Sequence, residues 1–180
     1  MKKIFLMAVV LNLFALSVDA QKLATDKIKW YTFEEAQTLT KKHPRKIFID
    51  VFTDWCGWCK KLDAVAFAHP VIVKYMNEHY YPVKFNAEVN DTIDYNGKKY
   101  YLRSNPNAMR STHDLAIYLL SGKLGYPSLV FVNNDLSTIN LIQSYLQPQQ
   151  LEAVLKYYAT NAYKSKTIDE YFQNFKGEIQ

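Results

Sequence analysis

Cys56 and Cys59 are the two cysteines of the 180-residue chain, and they stand three positions apart in the run Trp55-Cys56-Gly57-Trp58-Cys59-Lys60. The run follows a strongly apolar stretch at residues 46–53 and leads into residues with helical spacing. With Cys56 at the start of such a helix, Cys59 lies one turn along on the same side, because residues three apart on a helix are neighbours at about 5–6 Å. That suits a disulfide, whose Cα atoms lie roughly 4.4–6.8 Å apart. The N-terminus of a helix carries partial positive charge and free N–H groups, which favour a thiolate over a thiol. Cysteines so placed have pKa values lowered to about 3.5–7.5 from about 8.5. Cys56, nearer the end and more exposed, is the expected nucleophile, and Cys59 is the expected resolving thiol.

Two other roles for the pair stay open at this level. As a structural disulfide it would close so short a loop that it restricts the unfolded chain little. A structural zinc takes four ligands, so the pair would need two of His43, His69, His79 and His113, which are scattered along the chain.

The elements around the pair read as alternating strands and helices. Thr32 and Glu35 have capping-box spacing, which predicts a helix from there to about His43-Pro44. Residues 46–53 read as a central strand. Trp58, Leu62, Val65 and Ala66 share one face of the next helix by spacing, with Trp58 expected as a surface aromatic beside the cysteines, and His69-Pro70 breaks that helix. A further helix carries Val71, Ile72, Tyr75, Met76 and His79, and residues 80–85 form the next strand. Residues 91–102 read as a β-hairpin turning at Asn96-Gly97, with Asp94 opposite Lys99 and Ile93 opposite Tyr100. A helix over residues 112–120 stops at Gly122, and residues 128–132 and 137–145 are the last strands. Pro148 opens a helix with Leu151, Val154, Leu155 and Tyr158 inward, and a short final helix starts at Thr167. Such alternation argues for one α/β domain.

Composition narrows the partners. The net charge is +5, with basic residues in scattered pairs such as Lys41-Lys42, Lys60-Lys61 and Lys98-Lys99, so nucleic-acid binding is not expected. At the N-terminus, Lys2 and Lys3 precede an apolar stretch at residues 4–16, and Val18-Asp19-Ala20 offers small residues before a cut ahead of Gln21. That is the pattern of a secretory signal peptide over residues 1–20. An uncleaved anchor is the alternative, but the apolar stretch is shorter than the about 20 residues that cross a bilayer as a helix. The expectation is a soluble exported domain at residues 21–180, without stable membrane insertion after signal cleavage.

The run at residues 55–60 after an apolar strand, together with Gly125-Tyr126-Pro127-Ser128-Leu129-Val130-Phe131, resembles the thioredoxin family. Residues 54–71, with the strand before them, are similar to exported members that resemble the periplasmic C-terminal domain of the thiol:disulfide interchange protein DsbD. The resemblance covers about residues 32–159 and implies a thioredoxin fold: a central mixed β-sheet flanked by helices. It implies that Asp50 is the buried carboxylate behind the second cysteine, able to take its proton, and that Lys84 pairs with it. It implies a cis bond before Pro127, in a loop facing the disulfide, with the Tyr126 backbone free to hold a peptide in strand-like fashion. Trp55, Gly57 and Trp58 complete the expected substrate surface, although Trp58 stands where thioredoxins commonly have proline. Residues 88–111 are an insertion before the cis-proline loop, and residues 167–176 an extra C-terminal helix.

The implied function is thiol–disulfide exchange, in the reductase or isomerase direction, on cysteine-containing exported proteins in the periplasm. No cofactor is required, and a membrane or soluble thiol reductant would supply electrons. A redox-sensitive binding or chaperone module without turnover is the alternative.

Overall fold

The computed structural model describes residues 27–104 and 109–180. The expected signal peptide at residues 1–20 lies outside the described residues, as do residues 105–108 of the insertion. The first helix, α1 (Phe33–Lys42), starts where the sequence signals it: Thr32 Oγ1 accepts the Glu35 N–H, and the Glu35 carboxylate accepts the Thr32 N–H. It ends at His43, just before Pro44. Then come β1 (Lys46–Phe52), α2 (Gly57–Val65), α3 (Pro70–His79) and β2 (Tyr80–Asn86). The insertion supplies β3 (Ile93–Tyr95), β4 (Lys98–Tyr100) and β5 (Leu102–Arg103), and the chain returns through β6 (Thr112–His113) into α4 (Asp114–Leu119). The rest is β7 (Ser128–Val132), β8 (Thr138–Ile142), α5 (Pro148–Ala159) and α6 (Ile168–Asn174).

The main sheet has the order β2-β1-β7-β8, parallel between β1 and β2 and antiparallel elsewhere. Successive β1 side chains point to opposite faces and so serve two cores. Ile47, Ile49 and Val51 pack with α1, α4 and the β3–β4 hairpin, whereas Phe48 packs with α2, α3 and α5. Burying each such side chain stabilises the fold by about 1.5–3 kcal/mol. The helices therefore lie on both faces of a mixed α/β sheet.

The hairpin forms in the expected register, with Asp94 opposite Lys99 and Ile93 opposite Tyr100. Asn96 and Gly97 both take positive φ, 53° and 72°, which a two-residue turn of this kind requires. Three expectations need correction. Val65 is exposed although it falls on the apolar stripe, and the inner face of α2 is Cys59 and Leu62 followed by Ala66, because only that side meets the sheet; Trp58, expected at the surface, is exposed. Thr112 and His113 pair with Leu102 and Arg103 as strand, so α4 begins only at Asp114 with His113 as its cap. The last strand is limited to Thr138–Ile142.

Candidate active site

Where β1 ends, the chain makes a short loop and enters α2 with Cys56 as its N-cap. Cys56 Sγ accepts the Cys59 N–H at 3.0 Å, so one of the unpaired donors at the helix start is aimed at this sulfur. The two cysteines are joined in a disulfide with Cα atoms 5.3 Å apart. The order of exposure is the expected one but the margin is narrow, with Cys56 at 5% and Cys59 at 2%. Cys56 is thus a recessed sulfur at the surface of the helix head rather than an open one.

The surface around the pair is aromatic. Trp55, just before Cys56, is 50% exposed, and Trp58, between the two cysteines, is 57% exposed. Trp55 meets Tyr126 edge to face at 5.8 Å, and the Tyr126–Pro127 bond that follows is cis. Trp58 meets Tyr145, beyond the end of β8, at 5.4 Å. Lys61 Nζ sits over both of these rings, at 5.0 and 5.2 Å. Gly57 has open space where a side chain would begin. Trp55, Gly57, Trp58, Tyr126 and Pro127 are therefore brought to one neighbourhood by the head of α2 and the start of β7.

Asp50 lies on β1, on the face that Phe48 shares with α2, and is 1% exposed. Lys84, its neighbour on β2 in the parallel register, donates to Asp50 Oδ2 at 2.7 Å and also bonds Asp63 Oδ1. Asp63 is on α2, one turn beyond Cys59, so the Asp50–Lys84–Asp63 cluster bridges the sheet to the helix carrying the cysteines. Asp50 Oδ1 and Thr53 Oγ1 have no hydrogen-bond partner among the described residues. Burial pushes the Asp50 carboxyl up from 3.8 to about 6, although Lys84 pulls the other way; Asp63 adds a smaller push upward. The cost of removing a charge from water exceeds what one partly exposed ammonium returns.

Five neighbours of the site were not singled out from sequence. Asp63 is the nearest to legible, since it follows Cys59 by one helical turn. Lys61 follows Trp58 by three positions on α2 and meets it by helix spacing, whereas Glu88, Arg110 and Tyr145 reach the tryptophans only through the tertiary fold.

The family model described as Thioredox_DsbH, a protein of unknown function (DUF255), matches residues 15–178. Among solved structures, a DsbH oxidoreductase is 17% identical over 77% of this chain and 88% of its own, with a TM-score of 0.54. A thioredoxin from Thermus thermophilus is 14% identical over 84% of this chain and 99% of its own, also at 0.54. The C-terminal domain of Neisseria meningitidis DsbD in its oxidised form is 18% identical over 74% of this chain and 99% of its own, at 0.47. The first two likenesses show that this chain has the thioredoxin fold.

Proposed function

The chain belongs to the Thioredox_DsbH family, and from that premise we propose that it is an exported protein thiol–disulfide oxidoreductase. The reading rests on one observation above all: the Cys56–Cys59 disulfide at the N-terminus of α2, with one exposed tryptophan just before it and another between its cysteines. A structural cross-link needs neither the helix terminus nor the aromatic rim.

In the reductive direction the Cys56 thiolate attacks one sulfur of a substrate disulfide. The substrate S–S bond breaks, its second sulfur leaves as a thiolate, and a mixed disulfide with Cys56 forms. Cys59 then attacks the Cys56 sulfur, the mixed disulfide breaks, and the remaining substrate sulfur leaves as a thiolate. Two electrons pass to the substrate, and Cys56–Cys59 is left oxidised. The Cys59 N–H aimed at Cys56 Sγ stabilises negative charge there. Cys59 must lose a proton to attack, and Asp50, with its carboxyl near 6, is largely ionised at neutral pH and takes it. Trp55, Gly57 and Trp58 with Tyr126 and Pro127 form the surface that meets the substrate.

No cationic side chain stands between the cysteines, and ionised Asp50 disfavours a second negative charge on Cys59. Strong oxidants owe their potential to a stabilised reduced form, so these features favour a reductase or isomerase. A dithiol partner, membrane-bound or soluble, must then re-reduce the pair, and the expected site of action is the periplasm. The test adds catalytic amounts of purified protein to insulin and dithiothreitol. Turnover should exceed dithiothreitol alone and vanish in Cys56→Ser, while Cys59→Ser should hold substrate as a mixed disulfide through Cys56. Turnover no faster than dithiothreitol alone would leave a redox-sensitive binding module as the better reading.

A further inference from the structure

The 88–111 insertion leaves the domain at the end of β2 and returns at β6, and its two ends are stapled together. His113 N–H donates to Ala87 O at 2.7 Å, and Asp114 N–H to Tyr101 O at 2.8 Å. The fully buried His113 ring spans the same neck. Its Nδ1 accepts the Leu115 N–H at 3.1 Å, so Nε2 carries the proton and donates to Asp91 O at 2.9 Å. Further out, Gln37 of α1 grips the hairpin through Asp94 O and the Asn96 N–H, at 2.9 and 2.7 Å. Tyr95 packs edge to face on Phe33 at 5.7 Å. The insertion is an integral part of the core, not an appendage.

At the neck, both ends of the insertion converge on one active-site side chain. Trp55 Nε1–H donates to Glu88 Oε1 at 3.0 Å. Arg110 covers the Trp55 ring with its guanidinium carbon 5.0 Å from the ring centre, and approaches Glu88 Oε2 at 3.8 Å. Asn86 closes the base of this arrangement: its Oδ1 accepts the Glu88 N–H at 2.9 Å, and its Nδ2 donates to Asp54 Oδ2 at 3.1 Å. The far edge of Trp55 rests on Tyr126, beside Pro127. A half-exposed indole left alone would sample several rotamers. Here its N–H, one face and one edge are each held by a different segment.

We infer that Glu88 and Arg110 are positioning residues for substrate recognition, through which the insertion fixes Trp55 against the Tyr126–Pro127 loop. The inference rests on the oxidoreductase reading. The insertion thereby sets the width and shape of one wall of the surface that meets the substrate cysteine. A substrate suited to this wall is a protein segment that lays an apolar side chain beside its cysteine, in contact with the indole that Glu88 and Arg110 hold.

The test compares Glu88→Ala, Glu88→Gln and Arg103→Ala in insulin reduction and in near-ultraviolet circular dichroism. Glu88→Ala should raise KM for insulin roughly fivefold to tenfold, the equivalent of one net hydrogen bond, with kcat changed less than about twofold, and should lose tryptophan dichroism. Glu88→Gln keeps an acceptor for the indole N–H and should recover most of both signals. Arg103→Ala breaks the ion pair between the insertion and Asp114 of α4, which does not touch Trp55, and should match the unaltered protein, which separates the effect from general loosening. Unchanged KM and dichroism in Glu88→Ala, or a Glu88→Gln as impaired as Glu88→Ala, would overturn this inference and leave the oxidoreductase reading intact. An unaltered protein that fails to turn over insulin would overturn both.

Discussion

Replacing Asp50 with asparagine should make the protein's stability less dependent on pH, in a window fixed by the carboxyl's surroundings. Asp50 is 1% exposed, has one oxygen on Lys84 at 2.7 Å, and has the other without a partner. Burial raises its carboxyl from 3.8 to about 6 in the folded protein, against the opposing pull of Lys84. About two pKa units correspond to about 3 kcal/mol. The unfolded carboxyl ionises near 3.8 and the folded one near 6. The folded state is therefore favoured below the lower value, loses that advantage as pH rises between the two, and bears the whole cost above the upper one. Asparagine has nearly the same shape and does not ionise. Whatever it changes at Lys84 is an offset that does not vary with pH over this range. The Asp50→Asn protein should thus gain about 2–3 kcal/mol on the unaltered protein between pH 4 and pH 8, which for a domain of this size is about 4–12 °C in Tm. Urea unfolding of both disulfide-bonded proteins at several pH values gives the difference directly, and an unchanged m-value guards against denatured-state effects. A difference that stays flat from pH 4 to pH 8 would refute the assignment of a raised carboxyl. A difference that shrinks as pH rises would mean that Lys84 prevails over burial.

Lys84→Met removes the cation that Asp50 and Asp63 share, so the Asp50 carboxyl should titrate above 6, as followed by carboxyl-carbon NMR; an unmoved midpoint would contradict the pairing. Asp50→Asn should also slow resolution of the mixed disulfide at neutral pH and remove an inflection near 6 from that step's pH profile in rapid-quench experiments. Leu62 is fully buried on the inner face of α2, and Leu62→Ala should cost about 2–5 kcal/mol in urea unfolding. Trp58→Ala should cost less than about 1 kcal/mol, because Trp58 is 57% exposed, yet weaken capture of substrate by the Cys59→Ser protein. Glu152 is buried and accepts the N–H groups of Glu178 and Ile179 along with Lys156 Nζ. Glu152→Ala should free the C-terminal tail at a cost of about 3 kcal/mol, seen as faster amide exchange at residues 177–180.

What the sequence made legible was local in its physics. The capping box at Thr32 and Glu35 and the Asn96-Gly97 turn depend on a few neighbouring residues, and both appear as read. The dithiol at a helix head was equally readable, since three-residue spacing and the preceding strand suffice to place it. What failed depended on long-range packing. Val65 fits a helical stripe, but the sheet covers only the side bearing Cys59 and Leu62. Thr112 became strand because it meets Arg103, a pairing that no local pattern announces. Glu88 and Arg110 are 22 positions apart: Glu88 follows the end of β2 beside the end of β1, where Ala87 N–H donates to Phe52 O, and Arg110 returns to it where His113 N–H donates to Ala87 O. Lys84 could be paired with Asp50 by resemblance, while its second partner Asp63 required the helix to be docked.

The reduction potential of Cys56–Cys59 tests the central claim most directly. Equilibrating the purified protein in glutathione buffers and counting free thiols by alkylation and mass spectrometry gives the value. The account predicts a potential between those of thioredoxin at about −270 mV and protein disulfide isomerase at about −180 mV. A value below about −300 mV would make the pair a structural cross-link, and one more oxidising than about −140 mV, close to DsbA at about −120 mV, would make the protein an oxidase.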